Sequence, residues 1–169
     1  MIFLANRDGL RNKRVHRRIN DRFQTDTAFN SVRLRVATHR EQGPYRVVAE
    51  TNPRIILDDK EYPTQTARLE IGFDVEAPTD CDFYWFNWVE PERGLFLGWH
   101  QDDDHPGHGE VHLQLNQSDS VVVRKRAEVI DKHPMAVVEA RLQELPDALH
   151  AITWKARSAP DGEWDIRSY

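Results

Sequence analysis

Cysteine is all but missing from this chain: Cys81 stands alone, so no intramolecular disulfide can form and a thiolate-rich metal site is excluded. Long apolar runs are missing too. None approaches the roughly 20 residues that span a bilayer, which argues against a membrane helix. The apolar start, Met1 to Ala5, is very short and runs straight into Arg7, Arg11, Lys13 and Arg14, the reverse of a secretory signal's order. Low-complexity linkers and internal repeats are also lacking, and 169 residues suffice for one core. The expectation is a single cytoplasmic domain. Apolar residues make up only 39% of the chain and charged ones 30%, yet five Trp, seven Phe and four Tyr supply large units to bury. Lysine is scarce beside arginine, and acidic residues outnumber basic ones 28 to 23, a balance compatible with a high-GC, salt-adapted source.

The charge is unevenly spread. Seven basic residues (Arg7, Arg11, Lys13, Arg14, Arg17, Arg18 and Arg22) face only Asp8 and Asp21 in the first part of the chain, leaving it net positive on an acidic body. Val15, Ile19 and Phe23 recur every four residues among them, predicting an amphipathic helix over 7–23 with a basic outer face. That face, through Arg11, Arg14, Arg17, Arg18 and Arg22, either contacts nucleic acid or another anionic partner, or simply pairs with the acidic body.

Period-two segments follow. Val32, Leu34 and Val36 alternate with arginines, and Leu69, Ile71, Phe73 and Val75 alternate with Glu70, Gly72 and Asp74, each describing a half-buried strand. Tyr45 to Ala49 and Ile55 to Leu57 also read as strands. Phe83 to Val89 is aromatic on both faces and therefore reads as a central strand covered from both sides. Leu95 to His100, Val111 to Asn116 and Ser120 to Arg124 continue the sheet. Pro134 suits a first helical turn, and Met135, Val138, Leu142, Leu145, Leu149 and Ile152 predict a helix over 134–152, kinked or split by Pro146. A polar tail, 158–169, turns at Asp161-Gly162. The fold class expected is α+β: an antiparallel sheet of about six to eight strands over 31–124 with an N-terminal and a C-terminal helix on one face, in an arrangement compatible with a helix grip.

Half of the eight histidines, His100, His105, His108 and His112, fall within WHQDDDHPGHGEVH, beside Asp102, Asp103 and Asp104. Aligning the apolar sets Leu95, Leu97, Trp99 and Val111, Leu113, Leu115 on one face places His100 opposite His112. The same reasoning applied to the preceding hairpin puts Tyr84 opposite His100, Phe86 opposite Gly98 and Trp88 opposite Phe96. The expected row is thus Tyr84, His100, His112. Three readings are open. The segment is a solvated loop whose Asp, Pro and Gly residues make turns. Alternatively, His100 and His112 bind a divalent metal with His105, His108, Asp102 or Asp104 completing the shell. In the third, a histidine works as general acid or base beside Tyr84, chemistry suited to metal-independent RNA cleavage.

The motifs GWHQDDDHP and VHLQL, and the His-Pro that opens the last helix, resemble those of small uncharacterised haloarchaeal α+β proteins across roughly 67–149. Some of these are labelled toxin-like or parts of toxin-antitoxin pairs, so the resemblance implies an RNA-directed activity and a protein partner. No set of catalytic residues transfers with it. The leading expectation is a toxin-like or defence-associated protein acting on RNA through Tyr84, His100 and His112. The alternatives are a non-enzymatic binding or assembly module docking through its basic helix, and a metal-binding protein using the hairpin. A small-ligand cavity would require Tyr84, Phe86 and Phe96 to line one space.

Overall fold

The computed structural model describes residues 7–36, 45–77, 80–102, 107, 109–156 and 159–164. Helix α1, Arg7–Gln24, turns Ile19 and Phe23 fully inward and leaves Arg14, Arg17 and Arg18 exposed, as the four-residue spacing predicts. Strands β1 (Phe29–Val36), β2 (Tyr45–Thr51), β3 (Ala67–Ala77), β4 (Asp80–Glu90), β5 (Leu95–Gln101), β6 (Val111–Gln117) and β7 (Ser120–Ala127) form one antiparallel sheet in chain order. Helix α3, Pro134–His150, follows, then a separate two-stranded ribbon of β8 (Ile152–Ala156) and β9 (Ala159–Trp164). The α+β class, the antiparallel sheet and both helices agree with the sequence pattern.

Three local expectations are corrected. Residues 55–57 do not form a strand: the Asn52 side chain accepts from the Arg54 amide and Pro53 occupies the first turn, so Pro53–Ile56 closes as a short helix, α2. Helix α3 is not split at Pro146, because Leu145, Ala148 and Leu149 are buried on either side of it and their packing outweighs one lost backbone bond. The supposed tail is a strand over Ala159–Trp164, and Asp161-Gly162 lies within it rather than at a turn.

The core lies on one side of the sheet. Leu69, Ile71 and Phe73 of β3, Phe86 and Trp88 of β4, Leu97 and Trp99 of β5, and Leu113 and Leu115 of β6 meet Ile19 and Phe23 of α1 and Val137, Val138 and Leu145 of α3 in one cluster. Two buried charges are built into this architecture. Glu90, fully buried, accepts from the Tyr62 hydroxyl at 2.6 Å, the Trp88 indole at 2.7 Å and Arg93 Nη1 at 3.1 Å, and the Arg93 guanidinium lies 3.7 Å from the Trp154 ring centroid. Burial and the adjacent Glu90 carboxylate push the Tyr62 phenol far above its ordinary value. Arg141 of α3, also buried, donates through Nη2 to the Glu128 carbonyl at 2.7 Å and the Tyr84 hydroxyl at 3.0 Å, and pairs with Glu144.

Helix α1 does more than cover the sheet. Pairing between β2 and β3 ends at Val47 and Ile71, so among the described residues the later β3 amides that point away from β4 have no strand to donate to. The Phe73 amide donates instead to His16 Nε2 at 3.1 Å, and the Val75 amide to Asn12 Oδ1 at 3.0 Å. The spacing explains the match: two residues along a strand rise about 6.7 Å, and four residues along a helix rise about 6 Å. His16 Nδ1 in turn lies 2.6 Å from the Asn12 carbonyl, to which it donates, so the ring is neutral with its lone pair on Nε2. Burial holds this imidazole below its ordinary value, against the opposing pull of the Asn12 carbonyl and the Asp74 charge.

Candidate functional site

The sheet's second face carries the candidate site. In β5 the odd-numbered residues Leu95, Leu97 and Trp99 enter the core, so Phe96, Gly98 and His100 must project the other way. The expected pairing of β5 with β6 holds: Trp99 stands opposite Leu113 and His100 opposite His112. The imidazole centroids lie 5.2 Å apart with the rings at 85° to each other. His112 is fully buried, while His100 and Asp102 are half-buried.

The pairing of β4 with β5 differs from expectation by one residue. Glu90 opposes Leu95 across the four-residue connection Pro91 to Gly94, a 3₁₀ turn closed by Gly94 at φ 58°, so Trp85 rather than Tyr84 faces His100. A one-residue slip moves every side chain to the opposite face. Tyr84 therefore belongs to the core, 2% exposed, stacked on Phe73 at 5.6 Å and bonded to Arg141. Phe86 lies on that core face opposite Trp99, and Phe96 lies on the other, so no single cavity joins Tyr84, Phe86 and Phe96. Trp88 opposes Leu97, not Phe96. The observed row across the second face is Gly72, Trp85, His100, His112, Arg126.

One neighbour of this row was not anticipated. Asn87 Oδ1 lies 2.8 Å from His100 Nε2. A carboxamide oxygen only accepts, so Nε2 carries a proton. The contact needs Gly98 beneath it: a Cβ there would stand 2.2 Å from Asn87 Oδ1 and 2.8 Å from His100 Nε2. The signal in the sequence was that Asn87 is the single polar residue in FYWFNWV. Gly72 plays a similar part under Trp85, whose indole would meet a Cβ at 2.4 Å.

Potential ligand atoms of His100, Asp102 and His112 all lie within 4.8 Å of one another. Ligand atoms on a tetrahedral zinc ion stand about 3.3 Å apart, given bonds of about 2.0–2.1 Å, so side-chain adjustment of about 1.5 Å closes the set on an ion. Two imidazoles and a carboxylate suit a divalent transition metal, with positions left over for water or substrate. The bond from Asn87 is the kind of second contact that orients a ligating histidine. Of the other expected ligands, Asp104, His105 and His108 lie outside the described residues.

The basic helix is on the sheet's other side. Arg14, Arg17 and Arg18 are exposed and make no ion pair among the described residues, while Arg22 is engaged internally with Asp26 at 3.0 Å and Glu139 at 2.9 Å, tying α1 to α3. Arg11 lies on α1, its side chain outside the described set. Toward the two flanks of the site-bearing face stand Arg33, Arg35, Arg46, Arg68, Arg124 and Arg126. Glu50 and Glu70 engage some of these, Arg33 at 2.9 Å and Arg68 at 2.6 Å. No protein-family model, curated protein or solved structure matches the chain.

Proposed function

We propose that the protein binds one divalent transition-metal ion through His100, Asp102 and His112 and uses it on RNA, as a toxin-like or defence-associated activity would. The observation that carries the metal reading is the convergence of two imidazoles and a carboxylate within 4.8 Å on adjacent strands, one imidazole with its tautomer set by Asn87. A bound ion would polarise a phosphoryl oxygen or supply a hydroxide at neutral pH. Arg124 and Arg126, on the strand beside His112 and on the same face, support an anionic substrate.

A second reading keeps the substrate and removes the metal. Two imidazoles meeting edge to face at 5.2 Å can divide the work of base and acid between them. Tyr84, on the far side of the sheet, takes no part in either version.

Equilibrium dialysis of chelator-stripped protein against Zn²⁺, Mn²⁺ or Co²⁺, followed by elemental analysis, tests the first reading. One bound equivalent, lost in His100→Ala and His112→Ala, is expected. RNA cleavage that survives a chelator yet is abolished by either substitution would select the metal-free reading. Absence of both binding and cleavage would remove both.

A further inference from the structure

We infer that Arg126 is the anion-binding residue of this site, placed to hold a phosphate-ester oxygen of the substrate beside the ion at His100, Asp102 and His112. The inference rests on the metal reading above and extends it to a specific residue and ligand class.

Three observations converge on Arg126. It is the direct cross-strand partner of His112 on the same face, which puts their Cβ atoms about 4.5–5.5 Å apart. It is exposed and makes no ion pair among the described residues. Its side chain runs along Gly109: a Cβ built there would stand 3.0 Å from Arg126 Nε and 3.3 Å from its Cδ and Cγ. Gly109, at φ 80°, therefore lets the β5–β6 connection pass close along the Arg126 side chain, which a Cβ there would shift by a few tenths of an ångström.

Its neighbour differs. Arg124, paired across from Gln114, donates Nε–H to Gln114 Oε1 at 2.8 Å, which commits one edge of its guanidinium to the sheet. Arg126 is the arginine of that strand whose fork has no such commitment among the described residues. Charge also fits. A divalent ion on two neutral imidazoles and one carboxylate retains one positive charge, and Arg126 adds a second, which favours a phosphate ester over a neutral ligand. The planar fork suits two oxygens of one phosphate group, a geometry lysine does not reproduce.

The test uses full-length protein loaded with Co²⁺, whose visible spectrum reports coordination, titrated with inorganic phosphate at fixed ionic strength. Wild type is expected to bind one Co²⁺ and to respond to phosphate. Arg126→Ala should keep the Co²⁺ stoichiometry and starting spectrum and weaken phosphate binding about tenfold or more, as loss of a charge-assisted bidentate contact implies. Arg126→Lys should fall between the two. Gly109→Ala, which shifts the arginine without removing it, should weaken phosphate binding less than Arg126→Ala does. Arg35→Ala removes another exposed arginine, from the far flank of the same face, and should leave phosphate binding unchanged. Phosphate binding undiminished in Arg126→Ala, or diminished equally in Arg35→Ala, overturns the assignment while sparing the metal site. Failure of wild type to bind Co²⁺ overturns both.

Discussion

Replacing His16 by alanine tests whether a helix side chain truly stands in for a missing strand. The substitution strands the Phe73 amide, which has no other acceptor within the ladder, and an unsatisfied buried amide costs about 1–3 kcal/mol. Loss of the ring's contacts with Tyr45 and Phe73, at centroid distances of 5.9 and 6.4 Å, adds a small cavity. The total expected is about 2–4 kcal/mol, a large share of the ~5–15 kcal/mol that holds a domain together. His16→Gln retains an oxygen able to accept from the same amide and should recover about half of the loss. Urea unfolding followed by circular dichroism measures both, and hydrogen exchange at the Phe73 amide reads the bond directly. The pH dependence follows from the same geometry. Because the folded ring resists the proton that the unfolded ring accepts near pH 6.5, stability is full above that value and falls as the pH is lowered through it. The wild type should therefore lose more stability than His16→Gln between pH 7.5 and 5.5. A His16→Ala protein within about 0.5 kcal/mol of wild type, or parallel pH profiles for wild type and His16→Gln, would refute the reasoning.

Asn87→Ala or Gly98→Ala should lower metal affinity about 10- to 100-fold without unfolding the protein, since each removes the contact that orients His100; dialysis against Co²⁺ reads this. Arg141→Ala should destabilise by about 3–5 kcal/mol in urea, because Tyr84, Glu128 and Glu144 all lose the same partner. Glu90→Gln should cost about 2–4 kcal/mol, since three donors converge on a group that now carries donors of its own. Changing Arg14, Arg17 and Arg18 together to Glu should leave metal binding intact, as α1 lies across the sheet from the site. If that triple variant nevertheless loses binding to RNA or to a protein while the His100 and His112 variants keep it, the docking-module alternative gains the function.

What the sequence revealed follows how one-sided each segment's burial is. Helix α1 and strand β3 carry apolar residues on one face only, so their periods name the inward side, and the β5–β6 register follows from the matched odd-numbered residues. Strand β4 is buried on both faces from Tyr84 to Trp88, so its apolar pattern carries no face label. Its pattern alone therefore does not distinguish Tyr84 from Trp85 as the neighbour of His100. Only the connection length does so: four residues ending in Gly94 place Glu90 opposite Leu95. The His100–His112 pair was legible, whereas Asn87 joins it through the β4–β5 turn and Arg126 through the β6–β7 hairpin, whose register shifts between Leu115 and Asn116. At residues 55–57 an Asn-Pro cap outranks three β-favouring side chains.

The sheet is assembled strictly in chain order, so each hairpin can zip onto the last as it appears, and such local pairing favours rapid folding. Helix α1 is the exception. It leaves the ribosome before the sheet, and its acceptors for β3 sit 57 and 63 residues before the amides they serve. During synthesis the helix has to wait with Ile19 and Phe23 uncovered, and the far half of β3 waits with an open edge. A helix made before the sheet is thus locked down only after β3 exists, and a nascent chain stalled between the two is the form most exposed to aggregation or capture.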